Sequence, residues 1–169
     1  MEMEYETTNY KEAVSSCSKL LAERNLTIAF AESATAGKLA YEFSLTAYSG
    51  AILKGAIVCY NACVKEDMLG ISRETIAKYT PESAEVTREM CCSLQRKMPS
   101  EVSVAVTGLT APGGSESTHK PVGTMFYCIM YNQTLHERHI LLEGNPSDIV
   151  DQSIAAISRT LCAVLDPKW

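Results

Sequence analysis

The sequence predicts an α/β fold, a three-layer α/β/α sandwich around a mixed sheet of about five strands, and three features carry that reading. Short apolar runs rich in strand formers alternate with segments of helical period. The last two strand-like runs are separated by only Asn132-Gln133-Thr134, and the chain then closes on a long amphipathic stripe. Strands that alternate with helices are covered on both faces of their sheet. A tight turn joins antiparallel neighbours, so a sheet that ends in one is mixed.

Residues 10–24 place Ala13, Cys17, Leu20 and Leu21 at helical spacing and predict a first helix that stops near Asn25. Residues 26–31 read as a strand that delivers Glu32-Ser33-Ala34-Thr35-Ala36-Gly37 to a helix over 38–45. The long apolar stretch 50–60 reads as a buried strand ending at Tyr60. Short helices are expected over 62–69, closed by Gly70, and over 72–78. Pro81 is expected to open a longer helix through Lys97, since proline is tolerated in a first turn. A strand over 102–107 runs into the loop 108–120, whose Pro112-Gly113-Gly114 is the strongest turn signal in the chain. Residues 121–131 and 135–142 form the hairpin, and Ile149, Ser153, Ala156, Ile157, Thr160, Leu161 and Val164 mark a last helix over 146–165.

The 169 residues suit one domain over 1–169, with a core at about 10–165. A formal net charge of −5 argues against nucleic acid and anionic membranes as partners, because both attract clustered Lys and Arg. The acidic start lacks the basic and apolar regions of a secretory signal, and no window approaches a membrane-spanning apolar run. Seven cysteines, an odd number lying mostly in apolar periodic segments, read as reduced core thiols, so a cytoplasmic location is expected. Cys59 and Cys63 form no CxxC pair, and His119, His136 and His139 are distant in sequence. Neither a metal site nor a cofactor is expected.

Ligands of open α/β sheets gather where strands end, which leaves three candidate loops: 32–37, 60–65 and 107–120. The first offers the hydroxyls of Ser33 and Thr35 and a glycine, Gly37, at a helix N-terminus, where free N–H groups can hold an anion or an oxyanion. The same hydroxyls are also ordinary helix caps. The second offers Tyr60 and Lys65. A lysine in a dry site acts as a base and a phenol relays a proton, although each also has a bland reading as a solvated lysine and a strand-end aromatic. The third, from Thr107 and Gly108 to Gly113 and Gly114, is no Walker loop; it either wraps a small ligand with backbone amides or is only a long crossover.

Together these segments resemble the CinA C-terminal domain family, the competence/damage-inducible CinA-like proteins. The motifs carrying the resemblance are Ala31-Glu32-Ser33-Ala34-Thr35-Ala36-Gly37, Tyr60-Asn61-Ala62-Cys63-Val64-Lys65 followed by Leu69-Gly70, Val106-Thr107-Gly108-Leu109-Thr110-Ala111-Pro112-Gly113-Gly114, and Lys120-Pro121-Val122-Gly123-Thr124. The resemblance implies a metal-independent amidohydrolase that converts nicotinamide mononucleotide to the acid and ammonia, acting as a homodimer or larger assembly. It implies Ser33 as nucleophile and Lys65 with Tyr60 as proton carriers. Thr35, Gly37, Thr107, Gly108, Gly113 and Gly114 would position the substrate. The chemistry is consistent with that implied role, since a serine hydroxyl needs an adjacent base to attack an amide and neither a histidine nor a metal is available near Ser33 in sequence.

The sequence also departs from the family pattern. Ala36, Ala62 and Ala111 replace two glycines and an asparagine. The family's Gly-Asp-Arg, with a second arginine four residues on, reads here Gly144-Asn145-Pro146 and Val150. Two further readings therefore stand beside the first: hydrolysis of an unphosphorylated amide, and a non-catalytic paralogue that binds a small molecule or a protein.

Overall fold

The computed structural model describes residues 9–169. A first helix α1 (Tyr10–Glu23) leads to β1 (Ile28–Glu32), α2 (Lys38–Ser44), a helical turn α3 (Ser49–Ile52) and β2 (Leu53–Val58). There follow α4 (Ala62–Leu69), α5 (Arg73–Tyr79), α6 (Ala84–Lys97), β3 (Val102–Gly108), the hairpin β4 (Thr124–Tyr131) and β5 (Thr134–Leu141), and α7 (Pro146–Leu165). The five strands form one mixed sheet in the order β2-β1-β3-β4-β5; β1 runs parallel to β2 and β3, and the hairpin is antiparallel.

Strand alternation builds the two sides of the sandwich. Ile28, Phe30, Val102, Val104, Val106, Met125, Tyr127 and Ile129 pack on one face with Cys17 and Leu21 of α1, Leu39 and Phe43 of α2 and Ile154, Ile157 and Leu161 of α7. The other face presents the smaller Ala29, Ala31, Ala105 and Cys128 to Val86, Met90, Cys91 and Leu94 of α6. Small residues on that face let the α6 backbone approach the sheet closely, which keeps the crossover over β1 and β3 tight.

Several boundaries differ from the sequence reading. The apolar stretch 50–60 opens with the turn α3, and its strand is the sheet's outer strand with Val58 exposed, so its apolar character reflects an edge and not a buried centre. Proline 81 lies ahead of α6. Ser83 caps that helix, its hydroxyl accepting from Val86 N at 3.3 Å, because a hydroxyl can satisfy a first-turn amide and a proline cannot. The hairpin is shorter at its open end and one residue longer at its turn, which is Asn132-Gln133, both with positive φ (49° and 62°). Of the seven cysteines, which are all free, Cys63 is exposed on α4 and Cys92 half-buried, while the other five are buried. No helix among the described residues is long and apolar enough to cross a membrane.

Candidate functional site

Parallel pairing sets which residues meet. Glu32 at the end of β1 stands opposite Val58 of β2 and Val106 of β3, and β3 runs two residues further, so the three loops that follow, starting at Ser33, Cys59 and Leu109, leave the same edge of the sheet side by side. Ser33 N donates to Val106 O at 3.1 Å and fixes the serine to the sheet although the strand has ended.

Lys65 arrives from α4. Asn61 caps that helix, accepting from Cys63 N at 3.0 Å, and Gly70 ends it in the left-handed region at φ 68°. The lysine side chain has 0% exposure, and its Nζ donates to Ser33 Oγ at 2.9 Å and to Cys59 O at 3.0 Å. Burial pushes its pKa below the ordinary lysine value; neighbouring Cys59 and Glu82 pull it part of the way back. A buried amine with a lowered pKa, fixed by a carbonyl and touching a hydroxyl, is equipped to take that hydroxyl's proton.

Glu32, one residue before Ser33, is fully buried and braces this corner. Its Oε2 accepts from Thr35 Oγ1 at 2.6 Å, Gly37 N at 2.9 Å and Leu39 N at 3.1 Å, and its Oε1 from Ala40 N at 2.8 Å. The chain's own carboxylate thus takes the place at the start of α2 where the sequence reading expected free amides for a ligand. Thr35 and Gly37 are committed to it. Ala36, in the left-handed region at φ 49°, is exposed and its methyl lies outside the cavity lining.

Ser33 opens into a cavity of about 210 Å³ lined by Ala34, Tyr60, Glu82 and the stretch from Gly108 to Gly114. Gly108 is required there, since a Cβ would lie 2.1 Å from Met125 Sδ and 2.8 Å from Thr124 O. Gly113 N donates to Glu116 Oε1 at 2.8 Å, which folds the loop tip on itself. Tyr60 is 66% exposed at the cavity mouth, and its hydroxyl makes no hydrogen bond to Ser33 or Lys65 among the described residues. Thr107 is buried behind the wall, its hydroxyl 2.9 Å from that of Thr87.

Behind the loop, Lys120 Nζ donates to Thr80 Oγ1 at 2.5 Å, Ser115 Oγ at 2.6 Å and Glu82 O at 2.8 Å, and Ser115 Oγ donates to the Glu82 carboxylate. Thr80 holds a φ of 71°, unusual for a β-branched residue. Among the described residues no three His, Cys, Asp or Glu side chains gather as a metal site would require.

The structure therefore brings Ser33 and Lys65 into contact and puts Tyr60, Gly108, Gly113 and Gly114 around one cavity, with Thr35, Gly37 and Thr107 in its supports. Sequence reasoning did not single out Glu32 or Glu82. Glu32 left a signal, a carboxylate directly after an apolar strand inside the serine motif; Glu82, in the turn between α5 and α6, left none.

Comparison with known proteins gives the family and the fold. The family described as CinA C-terminal domain matches residues 10–165. A CinA-like protein of Mycobacterium sp. (strain JLS) is 36% identical over 136 residues, which is 80% of this chain and 32% of the relative. Another, of Mycolicibacterium gilvum, is 38% identical over 143 residues, 84% of this chain and 33% of the relative. The chain thus spans about a third of the length of these curated relatives. Among solved structures, a competence-damaged protein (CinA) superfamily member from Klebsiella pneumoniae superposes with a TM-score of 0.89 at 22% identity, covering 96% of this chain and all of that one. One from Enterobacter cloacae gives 0.87 at 25% identity, covering 98% and 99%.

Proposed function

Because the chain belongs to the CinA C-terminal domain family, we propose that it is a metal-independent serine amidohydrolase that converts nicotinamide mononucleotide or a related pyridine amide to the acid and ammonia. The observation that carries this reading is the 2.9 Å contact between the fully buried Lys65 Nζ and Ser33 Oγ beside an open cavity.

In its neutral form Lys65 takes the Ser33 proton as Oγ attacks the carboxamide carbon, and the bond to Cys59 O keeps the amine aimed. The same proton then passes to the departing nitrogen, giving ammonia and an acyl-serine, and a water deprotonated by Lys65 releases the acid. Tyr60, at the mouth, relays protons to solvent and flanks the incoming ring. Ser33 and Ala36 spend their amides on Val106 O and Ser33 O, so the amide of Ala34 in the cavity wall is the nearby donor for the developing oxyanion. Thr35, Gly37 and Thr107 act as positioning residues; Gly108, Gly113 and Gly114 shape the wall. The free thiols suit a reducing, cytoplasmic setting. Exposed Tyr41, Leu45, Tyr48 and Val58 on and beside α2 and β2 support assembly into a homo-oligomer.

Purified protein incubated with a panel of pyridine carboxamides should release ammonia, and Ser33→Ala should stop the release. Wild-type protein that releases none from any member of the panel would end the hydrolase reading. A second reading, a binding paralogue, draws on the unbonded Tyr60 hydroxyl and on Ala111 in the cavity wall. Thermal stabilisation by these amides, equal in wild type and Ser33→Ala and without turnover, would select it.

A further inference from the structure

We propose that the cavity selects a cationic carboxamide without a phosphate, an N-glycosyl pyridinium amide of the nicotinamide riboside type, and that Glu82 is the residue that enforces the choice. The proposal rests on the amidohydrolase reading for its chemistry but not for its selectivity.

Four observations converge on it. First, among the residues lining the cavity Glu82 is the one that brings a carboxyl group. Second, the cation nearest in the network is already spent. Lys120 directs its three N–H bonds to Thr80 Oγ1, Ser115 Oγ and Glu82 O, and is not part of the lining. A phosphate entering here would meet the Glu82 carboxylate and find no N–H of Lys120 left to bind it.

Third, the segment that opens α7 supplies no cation to the cavity either. Asn145 caps α7 through Ser147 N and Asp148 N, Pro146 occupies the first turn, and Val150 packs against the core. None of the three lines the cavity. Fourth, Tyr60 offers an aromatic ring at the mouth, and a positively charged pyridinium is attracted both to such a ring and to the Glu82 carboxylate. The volume agrees: about 210 Å³ is below the ~300–1,000 Å³ usual for drug-sized ligands, which favours the smaller molecule.

Ser115 Oγ donates to the Glu82 carboxylate and so fixes its direction, and Lys120 in turn holds Ser115. Glu82 is therefore a specificity-determining residue held by its neighbours.

The test compares nicotinamide riboside with its 5′-phosphate in two assays. One measures kcat/KM for ammonia release by the wild type and Glu82→Gln; the other measures Kd by calorimetry in the Ser33→Ala background, with and without Glu82→Gln. The wild type should prefer the riboside by about tenfold or more, and Glu82→Gln should shrink that preference by about tenfold, mainly through better use of the phosphate form. An equal or opposite preference in the wild type, or a ratio that Glu82→Gln leaves unmoved, would overturn the proposal. Should Glu82→Gln fold poorly, the wild-type ratio alone decides. Preferential binding of the riboside with no turnover of either compound would remove the hydrolase reading and leave the charge selection standing.

Discussion

Glu32 and Ser33 are adjacent in the chain yet serve opposite needs: the carboxylate accepts four hydrogen bonds from the loop and helix that follow, while the serine hydroxyl faces Lys65. The first arrangement makes the second possible, because a loop with two successive left-handed residues, Ala36 and Gly37, has little regular structure of its own to hold Ser33 in place. Glu32→Gln tests this. An amide nitrogen in place of one oxygen would face an N–H donor, leaving a buried pair unsatisfied. The expected cost is about 1–3 kcal/mol in denaturant unfolding, together with a fall in ammonia release greater than the loss of folded protein explains. Unchanged stability would mean that the loop holds itself.

Lys65 gives a pH prediction with a definite sign. Its pKa is lowered in the fold by burial, so the unfolded chain binds the proton first as pH falls from about 10.4. Between that value and the lowered one, protonation favours the unfolded state, so stability rises with pH across this window and is flat below it. Subtracting the stability–pH curve of Lys65→Met from that of the wild type should reveal the rise. Ammonia release should increase with pH through the same lowered pKa and be lost in Lys65→Met. A flat difference curve would show that Lys65 ionises as an ordinary lysine.

Local signals made part of this molecule readable before its structure. The helix α7 announced itself through a seven-residue, mostly apolar stripe and Pro146 in its first turn, and α4 through Gly70, whose φ of 68° suits glycine. The stretch 50–60 was misread because apolar composition does not separate an edge strand from a central one; only the pairing of β2 with β1 alone does. At the site, Ser33 and Lys65 came from motifs, but their contact spans 32 residues and depends on β1 and β2 ending together. Glu82 was invisible for the same reason. A lone carboxylate before a helix looks solvated, and its place in the cavity wall is decided by the 108–114 loop that reaches it from elsewhere in the chain.

The cavity wall itself can be probed at Gly108. A methyl group there would overlap Met125 Sδ and press on the Thr124 carbonyl, and the carbonyl belongs to a strand that cannot swing aside. Gly108→Ala should therefore destabilise the protein by about 1–3 kcal/mol and weaken ligand binding, since the displaced loop forms the wall. Thermal unfolding and calorimetry on the same sample check both. Loss of stability with intact binding would show that the strain is absorbed at Met125, behind the wall.

Ala36 supplies the opposite case, a departure from the family pattern that should matter to stability and not to chemistry. Its φ of 49° costs an L-residue about 1–2 kcal/mol that glycine does not bear, and glycine gives back part of this through the greater freedom of the unfolded chain. Ala36→Gly should therefore be neutral to stabilising by up to about 1 kcal/mol. Because the methyl is exposed and outside the cavity lining, and Glu32 holds the loop on either side of it, kcat/KM should stay close to wild type. A large gain in activity from this substitution would mean that the alanine at this turn restrains the Ser33 loop, and that the rigidity attributed to Glu32 is incomplete.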